Sequence, residues 1–179
     1  MSTITTFSGE SFTPLTPDMA QVHMKDIAHA LSLLCRANGH FVRFFSVAQH
    51  SIRCAVEAAA RGHGPRVQLA CLLHDASEAY LSDITRPIKK HLPLYVEAED
   101  RLQNAIYCKY LNSPLSPAEH DQVRQVDDDM LEAEFAVLLD KRPIGRVVIL
   151  ASQPTYEFEA FEAVESQFIQ LFESLLQQL

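Results

Sequence analysis

Apolar residues recur every three or four positions along most of the chain, which is the period of one face of an α-helix. This pattern predicts helices over about residues 24–38, 47–61, 65–73, 94–111, 116–139 and 158–178. Ser116, Pro117 and Glu119 suit the cap, the first turn and the capping box of the fifth of these helices. One face of the last helix is apolar at Phe161, Val164, Phe168, Leu171, Phe172 and Leu175. The chain is therefore expected to be mostly helical.

The first residues follow a different pattern, in which β-branched and aromatic residues flank Ser8-Gly9. Ile4 and Phe7 precede this pair and Phe12 follows it, which favours a short hairpin that ends before Pro14. A chain of 179 residues with 47% hydrophobic content is long enough for one domain with a substantial core. We predict an all-α single domain over residues 1–179 with a small amino-terminal β-hairpin.

The composition limits which partners and which cellular compartment are expected for this protein. The net charge of −8, without any Lys/Arg block, argues against an extended nucleic-acid surface, because such surfaces neutralise many phosphates. The 4 cysteines lie singly in apolar helical patterns, as buried reduced thiols do, which favours a cytoplasmic protein. No apolar run reaches membrane-spanning length, and the amino terminus lacks the cationic and apolar pattern of a secretion signal. We expect no membrane association.

Three clusters of chemically active residues stand out from the helical background. They are His50 near the start of the second helix, His74-Asp75 with Glu78 at the end of the third, and 127–129 in the fifth. The last cluster is three consecutive aspartates, which have poor helix propensity and repel one another. At least one of them falls near the apolar stripe, where a carboxylate needs a cation, whereas the other two are expected to face solvent.

Together, His50, His74, Asp75 and one of the three aspartates could form a His₂Asp₂ shell from three helices. A metal in such a shell lowers the pKa of a water from about 15.7 to near 7, and Glu78 could orient or deprotonate that water. Each residue alone has an ordinary explanation, such as a satisfied core histidine, a hydrogen-bonded helix end or a solvated helix face.

The order H…HD…D, with the stretch His74-Asp75-Ala76-Ser77-Glu78-Ala79-Tyr80-Leu81-Ser82-Asp83, resembles the HD-domain metal-dependent phosphohydrolases. Within that superfamily the chain is similar to the bacterial 5′-deoxynucleotidase branch and, more closely, to small phage-type dATP triphosphohydrolases. The resemblance covers roughly residues 3–140, and implies an HD-type helical bundle with its motif core over about 24–140. The helix over about 158–178 carries no motif and is expected to serve packing or oligomerisation.

The resemblance also implies roles for particular residues. The metal ligands would be His50, His74, Asp75 and Asp127. Asp127 is preferred over its neighbours because Glu134 follows seven residues later, as in the last motif of the superfamily, although Val126 stands where alanine is usual. The catalytic residues would be Glu78, as base or water-orienting group, and Asp83, on the nucleotide side or at a second metal. The substrate-binding residues would be Arg36, His40 and Lys89.

These assignments predict a divalent transition metal, with Co, Mn, Zn, Fe and Ni all open and Mg at a second site as a further option. The substrate would be a (deoxy)nucleotide, either a dNTP or a dNMP, and the protein is expected to be a homo-oligomer. Three other hypotheses stay open: a metal-containing nucleotide sensor with negligible turnover, a nucleotidase that acts on other small phosphate esters, and a helical module in which the His/Asp pattern is incidental.

Overall fold

Helices make up most of the chain in the computed structural model, which describes residues 3–140 and 146–179. The strands β1 (Ile4–Thr5) and β2 (Ser11–Phe12) form an antiparallel hairpin, with Ile4 opposite Phe12. The helices that follow are α1 (Met24–Leu33), α2 (Val47–Ala60), α3 (Pro65–Leu73), α4 (Glu78–Leu81), α5 (Arg86–Lys89), α6 (Pro93–Leu111), α7 (Pro117–Leu138) and α8 (Phe161–Leu176). The predicted all-α fold with a small amino-terminal hairpin is confirmed.

Local chemistry explains where two of the long helices begin. Ser46 caps α2 and Ser116 caps α7, and each forms a reciprocal capping box with Gln49 and Glu119 respectively. These bonds satisfy backbone N–H groups that a helix start leaves without partners. The predicted start of α7 is confirmed, and the cap of α2 fixes the first turn of the helix that carries His50.

The first helix is shorter than predicted, because it ends at Leu33 instead of continuing to Asn38-Gly39. The chain leaves the helix to pair with the segment before α2: Cys35 forms a β-bridge with Ser46, and the Arg36 N–H donates to the Phe45 carbonyl at 2.9 Å. Residues 37 and 38 then adopt left-handed backbone angles, with φ of 52° and 51°. Long-range pairing therefore overrides the local helical pattern here.

Helix α3 lies at the centre of the molecule, in contact with α2, α6, α7 and α8. Its buried residues surround the helix axis instead of forming one stripe: Val67, Leu69, Ala70, Cys71, Leu72 and Leu73. A helix that is apolar on all sides can only be stable when neighbours cover it on all sides. The His74-Asp75 doublet thus follows directly on a helix that its neighbours cover on all sides.

Helix α8 supplies part of that cover. The residues of its apolar stripe that are fully buried are Val164, Phe168, Phe172 and Leu175, and the helix contacts α1, α2 and α3. The stripe therefore packs into the core of its own chain, and homo-oligomerisation stays a prediction. Within residues 3–140 and 146–179, no helix combines the length and the apolar character needed to cross a membrane.

Residues 146–160 cross the surface of α2 in an irregular conformation and are held there by polar side chains of that helix. The buried Glu57 carboxylate accepts hydrogen bonds from the N–H groups of Ala151 at 2.9 Å and Ser152 at 2.8 Å, and from Arg61 Nε at 2.7 Å. One turn earlier, Arg53 Nε donates to the Thr155 carbonyl at 2.7 Å. A carboxylate with this many donors is stabilised in its charged form.

The change of unfolding free energy with pH in acid should reveal the contribution of the Glu57 carboxylate. Burial alone would raise the pKa of Glu57, but the hydrogen bonds from Ser152 and Ala151 outweigh it and lower the pKa to about 2. Because the folded-state pKa lies below the unfolded one, its contribution is present above about pH 4.5 and is lost toward pH 2. Glu57→Gln should cost about 2–3 kcal/mol of unfolding free energy at pH 7 and little near pH 2, measured by urea unfolding. Glu157→Gln, at an exposed ion pair with Arg43, is the matched control, and equal pH profiles for the two variants would contradict the assignment.

Candidate functional site

The four predicted metal ligands lie close together beneath a cavity. His50 Nε2 lies 3.2 Å from His74 Nε2 and 3.1 Å from Asp127 Oδ1. His74 Nε2 lies 3.3 Å from Asp75 Oδ2 and 3.6 Å from Asp127 Oδ1, and His50 Nε2 lies 3.9 Å from Asp75 Oδ2. Three sequence-distant segments therefore direct two ring nitrogens and two carboxylate oxygens toward a common centre.

In each histidine, Nδ1 is hydrogen-bonded to a group away from that centre, so Nε2 is the nitrogen that faces it. His74 Nδ1 lies 2.7 Å from the Cys71 carbonyl oxygen, which can only accept, so Nδ1 must carry the proton. His50 Nδ1 lies 2.9 Å from Glu134 Oε1 and is protonated for the same reason. In the neutral rings both Nε2 atoms then present lone pairs to each other at 3.2 Å, an arrangement that a cation between them would stabilise.

The charges around the histidines show how strongly this centre attracts positive charge. Burial alone would lower the pKa of His74, but the carboxylates of Asp75 and Asp127 outweigh it and raise the pKa to about 9. Burial would likewise raise the pKa of Asp127, yet the hydrogen bonds with both histidines lower it well below its ordinary value. The site therefore favours bound positive charge, whether carried by protons or by a metal ion.

A third soft donor lies beside the histidines. His50, Cys54 and His74 form a group whose donor atoms all lie within 4.8 Å of one another, and this group could bind a metal ion. Cys54 Sγ is 3.5 Å from His50 Nε2 and 3.9 Å from Nδ1. Because the two distances are similar, the sulfur lies beside the imidazole ring. A metal ion bound to Nε2 would lie in front of that nitrogen, much farther from Nδ1. Cys54 was not predicted, although its position one helical turn after His50 is a visible signal.

Arg36 and Glu134 form a buried charged network behind the histidines. The Arg36 guanidinium lies 3.3 Å from Asp75 Oδ2 and 3.5 Å from Glu134 Oε2, and the same Glu134 binds His50. Burial alone would lower the pKa of Arg36, but Glu134 and Asp75 raise it, so the guanidinium stays charged. Arg36, predicted to bind substrate, is thus held by carboxylates at the wall of the cavity.

The cavity has a volume of about 540 Å³, within the range of small-molecule sites. It is lined by seven of the nine predicted site residues: Arg36, His40, Asp75, Glu78, Asp83, Lys89 and Asp127. The other two, His50 and His74, lie behind Asp75 and Asp127 at the distances given above. Apolar side chains also line it, namely Ala37, Ile84, Pro87, Leu131, Phe135 and Leu139. The cavity can therefore receive a ligand with a charged part and an apolar part.

Glu78, at the start of α4, is a buried acid within this cavity. Its Oε2 has no hydrogen-bond partner among the described residues, and Lys89 Nζ lies 4.0 Å from Oε1. Burial, followed by repulsion from Asp75 and Asp83, raises the pKa of Glu78 well above its ordinary value. Burial also raises the pKa of Asp83. A carboxyl group of a cavity-lining residue, with one oxygen unpartnered among the described residues, is a candidate proton acceptor.

The three consecutive aspartates have different surroundings. Asp127 faces the histidines through Oδ1 and accepts from Arg86 at 2.6 Å through Oδ2. Asp128 also binds Arg86 at 2.6 Å and is partly solvated. Asp129, expected in solvent, is instead largely buried in ion pairs with Arg61 and Arg146. Arg86 was not predicted, since no motif distinguishes it from a surface arginine.

Two known proteins resemble the chain over most of its length, while no protein-family model matches it. The uncharacterized protein YfdR of Escherichia coli (strain K12) is 37% identical over 134 residues, covering 75% of this chain and 71% of that protein. An uncharacterized protein of Rhodobacter capsulatus is 36% identical over 136 residues, covering 71% of this chain and 69% of that protein. The chain belongs to the YfdR family. The names of these YfdR-family relatives state no activity.

Removal of Arg36 should destabilise this YfdR-family protein strongly. Arg36→Met leaves the carboxylates of Asp75 and Glu134 without their shared counter-charge in a buried place. We expect a loss of about 3–5 kcal/mol in unfolding free energy, measured by urea unfolding in the presence of a chelator. Arg124→Met, at the exposed ion pair with Asp121, should change it by less than about 0.5 kcal/mol. A similar small effect for both variants would show that the Arg36 network contributes no stability.

Proposed function

We propose that this protein is a metal-dependent phosphohydrolase of the HD-domain type that acts on deoxynucleotides. The observation that carries the proposal is the pair of Nε2 atoms 3.2 Å apart, with carboxylate oxygens of Asp75 and Asp127 beside them. Two imidazoles and two carboxylates suit a divalent transition metal, and Co, Mn, Zn, Fe and Ni all accept this ligand set. A metal bound there would supply Lewis-acid chemistry and lower the pKa of a water to near 7.

We assign the four ligand positions to His50, His74, Asp75 and Asp127 in preference to a set that includes Cys54. Support comes from the placement of the sulfur beside the His50 ring, and from Asp127 Oδ1, which lies closer to His50 Nε2 (3.1 Å) than the sulfur does (3.5 Å). The Nδ1 bonds to Glu134 and to the Cys71 carbonyl would hold both rings in the ligating tautomer.

Glu78 would orient or deprotonate the attacking water. Its Oε2 is buried with no hydrogen-bond partner in the described part of the chain, and its pKa is raised, which makes it a stronger base than an exposed glutamate. Lys89 Nζ, close to Oε1, would limit the proton affinity of Glu78 and carry positive charge toward the substrate. Asp83, which lines the same cavity, would act on the nucleotide side.

The charge of the cavity fits an anionic substrate that binds after the metal. Three cationic side chains (Arg36, Arg86 and Lys89) line it with four carboxylates (Asp75, Glu78, Asp83 and Asp127). A divalent cation would turn this small negative excess into a positive one, which favours a phosphate group. The apolar lining, including Phe135, offers a surface for the base and the sugar. Arg36 and Lys89, with the exposed His40, are the proposed substrate contacts.

Metal content should separate the two candidate ligand sets. Asp127→Asn should reduce Co²⁺ binding by at least about tenfold, because it removes a negative ligand, whereas Asp128→Asn on the same turn should bind Co²⁺ nearly as wild type does. Cys54→Ala should keep full stoichiometry. Equilibrium dialysis with metal analysis measures all three, and loss of Co²⁺ in Cys54→Ala with retention in Asp127→Asn would reverse the assignment.

Turnover should depend on Glu78 separately from metal binding. Wild-type protein with Co²⁺ or Mn²⁺ is expected to release phosphate or triphosphate from members of a panel of all dNMPs and dNTPs, with products identified by chromatography. Glu78→Gln should lower the rate by about 10²–10⁴-fold and retain Co²⁺, because it removes a proton acceptor and leaves the ligands intact. Glu97→Gln, at an exposed position of α6, is the control.

Equally low hydrolysis by the wild type and by Asp75→Ala across the panel would rule out the enzyme. Retained metal with a ligand-induced rise in melting temperature and no product would instead support the nucleotide sensor.

A further inference from the structure

The side-chain amide of Gln103, in the middle of α6, lies between the end of α3 and the start of α4. Gln103 Nε2 donates to the Leu73 carbonyl at 2.7 Å, and Gln103 Oε1 accepts from the Ser77 N–H at 3.1 Å. Leu73 and Ser77 are four residues apart, so in an uninterrupted α-helix the Ser77 N–H would donate to the Leu73 carbonyl. The Gln103 amide thus binds both groups that would otherwise form this helical hydrogen bond: the Leu73 carbonyl and the Ser77 N–H.

The backbone at this point is helical in its angles but not in its hydrogen bonds. His74 and Ser77 keep right-handed angles, with φ of −64° and −62°. The Ala76 N–H, however, donates to the Leu73 carbonyl at 3.0 Å, three residues back, and the Glu78 N–H donates to the Asp75 carbonyl at 3.0 Å. Insertion of a side chain into the backbone ladder is a recognised cause of such a break in a helix. Gln103 therefore separates α3 from α4.

The break encloses the two adjacent residues that face the site, His74 and Asp75. In a regular helix, consecutive side chains project about 100° apart and do not face each other. Here His74 Nε2 and Asp75 Oδ2 lie 3.3 Å apart and both face His50 and Asp127. The break in the helical hydrogen bonds therefore lies at the two adjacent residues whose side chains reach one centre.

Other residues on the same ridge of α6 hold the rest of the segment that carries the site. They recur at four-residue spacing on either side of Gln103. Tyr95 Oη donates to the Ser82 carbonyl at 2.6 Å, next to Asp83, and Glu99 accepts from Lys89 at 2.7 Å. Tyr107 Oη donates to the Ala70 carbonyl at 3.4 Å. The ridge therefore contacts residues 70–89 along their length, and Gln103 is its contact with the broken turn.

We infer that Gln103 is the positioning residue of the metal site: its amide holds open the helical hydrogen bond between Leu73 and Ser77, so that His74 and Asp75 can bind one metal ion. This inference rests on the proposed function, because it assigns a role in the site that function requires. Without the amide, the Ser77 N–H can return to the Leu73 carbonyl, α3 and α4 can join, and Asp75 turns away from His74.

The test compares Co²⁺ binding by the full-length wild type, Gln103→Met and Gln103→Glu. Methionine keeps the length of the side chain without either hydrogen bond. Glutamate keeps the acceptor for the Ser77 N–H but sets an oxygen against the Leu73 carbonyl. Both variants should bind Co²⁺ about tenfold more weakly or worse, with a changed visible spectrum of the bound ion, because one carboxylate leaves its coordination. Titration followed by visible absorption measures both quantities.

Leu102→Ala is the matched control, since Leu102 is fully buried on the same helix and does not contact the turn through hydrogen bonds. It should lower the melting temperature while Co²⁺ affinity stays within about twofold of wild type and the spectrum is unchanged. Wild-type affinity and spectrum in both Gln103 variants would overturn the inference, as would an equal loss of affinity in Leu102→Ala. If one Gln103 variant fails to fold, the other decides.

The outcomes also separate this inference from the proposed function. Wild-type protein that binds Co²⁺ but hydrolyses no nucleotide contradicts the phosphohydrolase and leaves the Gln103 comparison decisive for the metal site. Wild-type protein that binds no Co²⁺ overturns both.

Discussion

The buried carboxylate of Glu134 joins the parts of the site that lie furthest apart in the chain. It binds His50 on α2 at 2.9 Å and Arg36, before α2, at 3.5 Å, and Arg36 in turn binds Asp75 beyond α3. A charge with no exposed surface is tolerated only when partners surround it, so α2, α7 and the turn after α3 must come together in this arrangement. The same bond sets the tautomer of His50. The packing that buries Glu134 in the core therefore also brings the residues of the site together.

Features that cost stability gather around the cavity. The backbone of Ala37 and Ser82 has positive φ angles of 52° and 73°, which cost non-glycine residues about 1–3 kcal/mol each. Ala37 lines the cavity, and Ser82 precedes Asp83. The Glu78 oxygen, which has no hydrogen-bond partner among the described residues, adds to this cost. Unfavourable groups that the surrounding core holds in place are typical of sites that bind a ligand, and this agrees with the proposed metal and substrate.

Periodicity predicted the helices well where local chemistry and burial agree, and less well where distant parts of the chain compete. The start of α7 follows from Ser116, Pro117 and Glu119, and the inward faces of α3 and α8 follow from their apolar residues. The end of α1 could not be predicted, because it depends on pairing with Ser46 and Phe45, on the far side of a loop. The short helices α4 and α5 are too brief for any period to be visible.

The sequence by itself determined the helical fold and the hairpin, because helical period and turn residues are local properties. The resemblance of its motifs to a known superfamily also pointed to seven of the residues that line the cavity. Only the tertiary structure decided that Asp129 is buried in ion pairs, and that Cys54 and Arg86 adjoin the site. It also decided that an amide on α6 interrupts the helix at His74-Asp75. Such facts depend on the packing of one helix against another, and a side chain's partners across that contact leave no periodic signal in either segment.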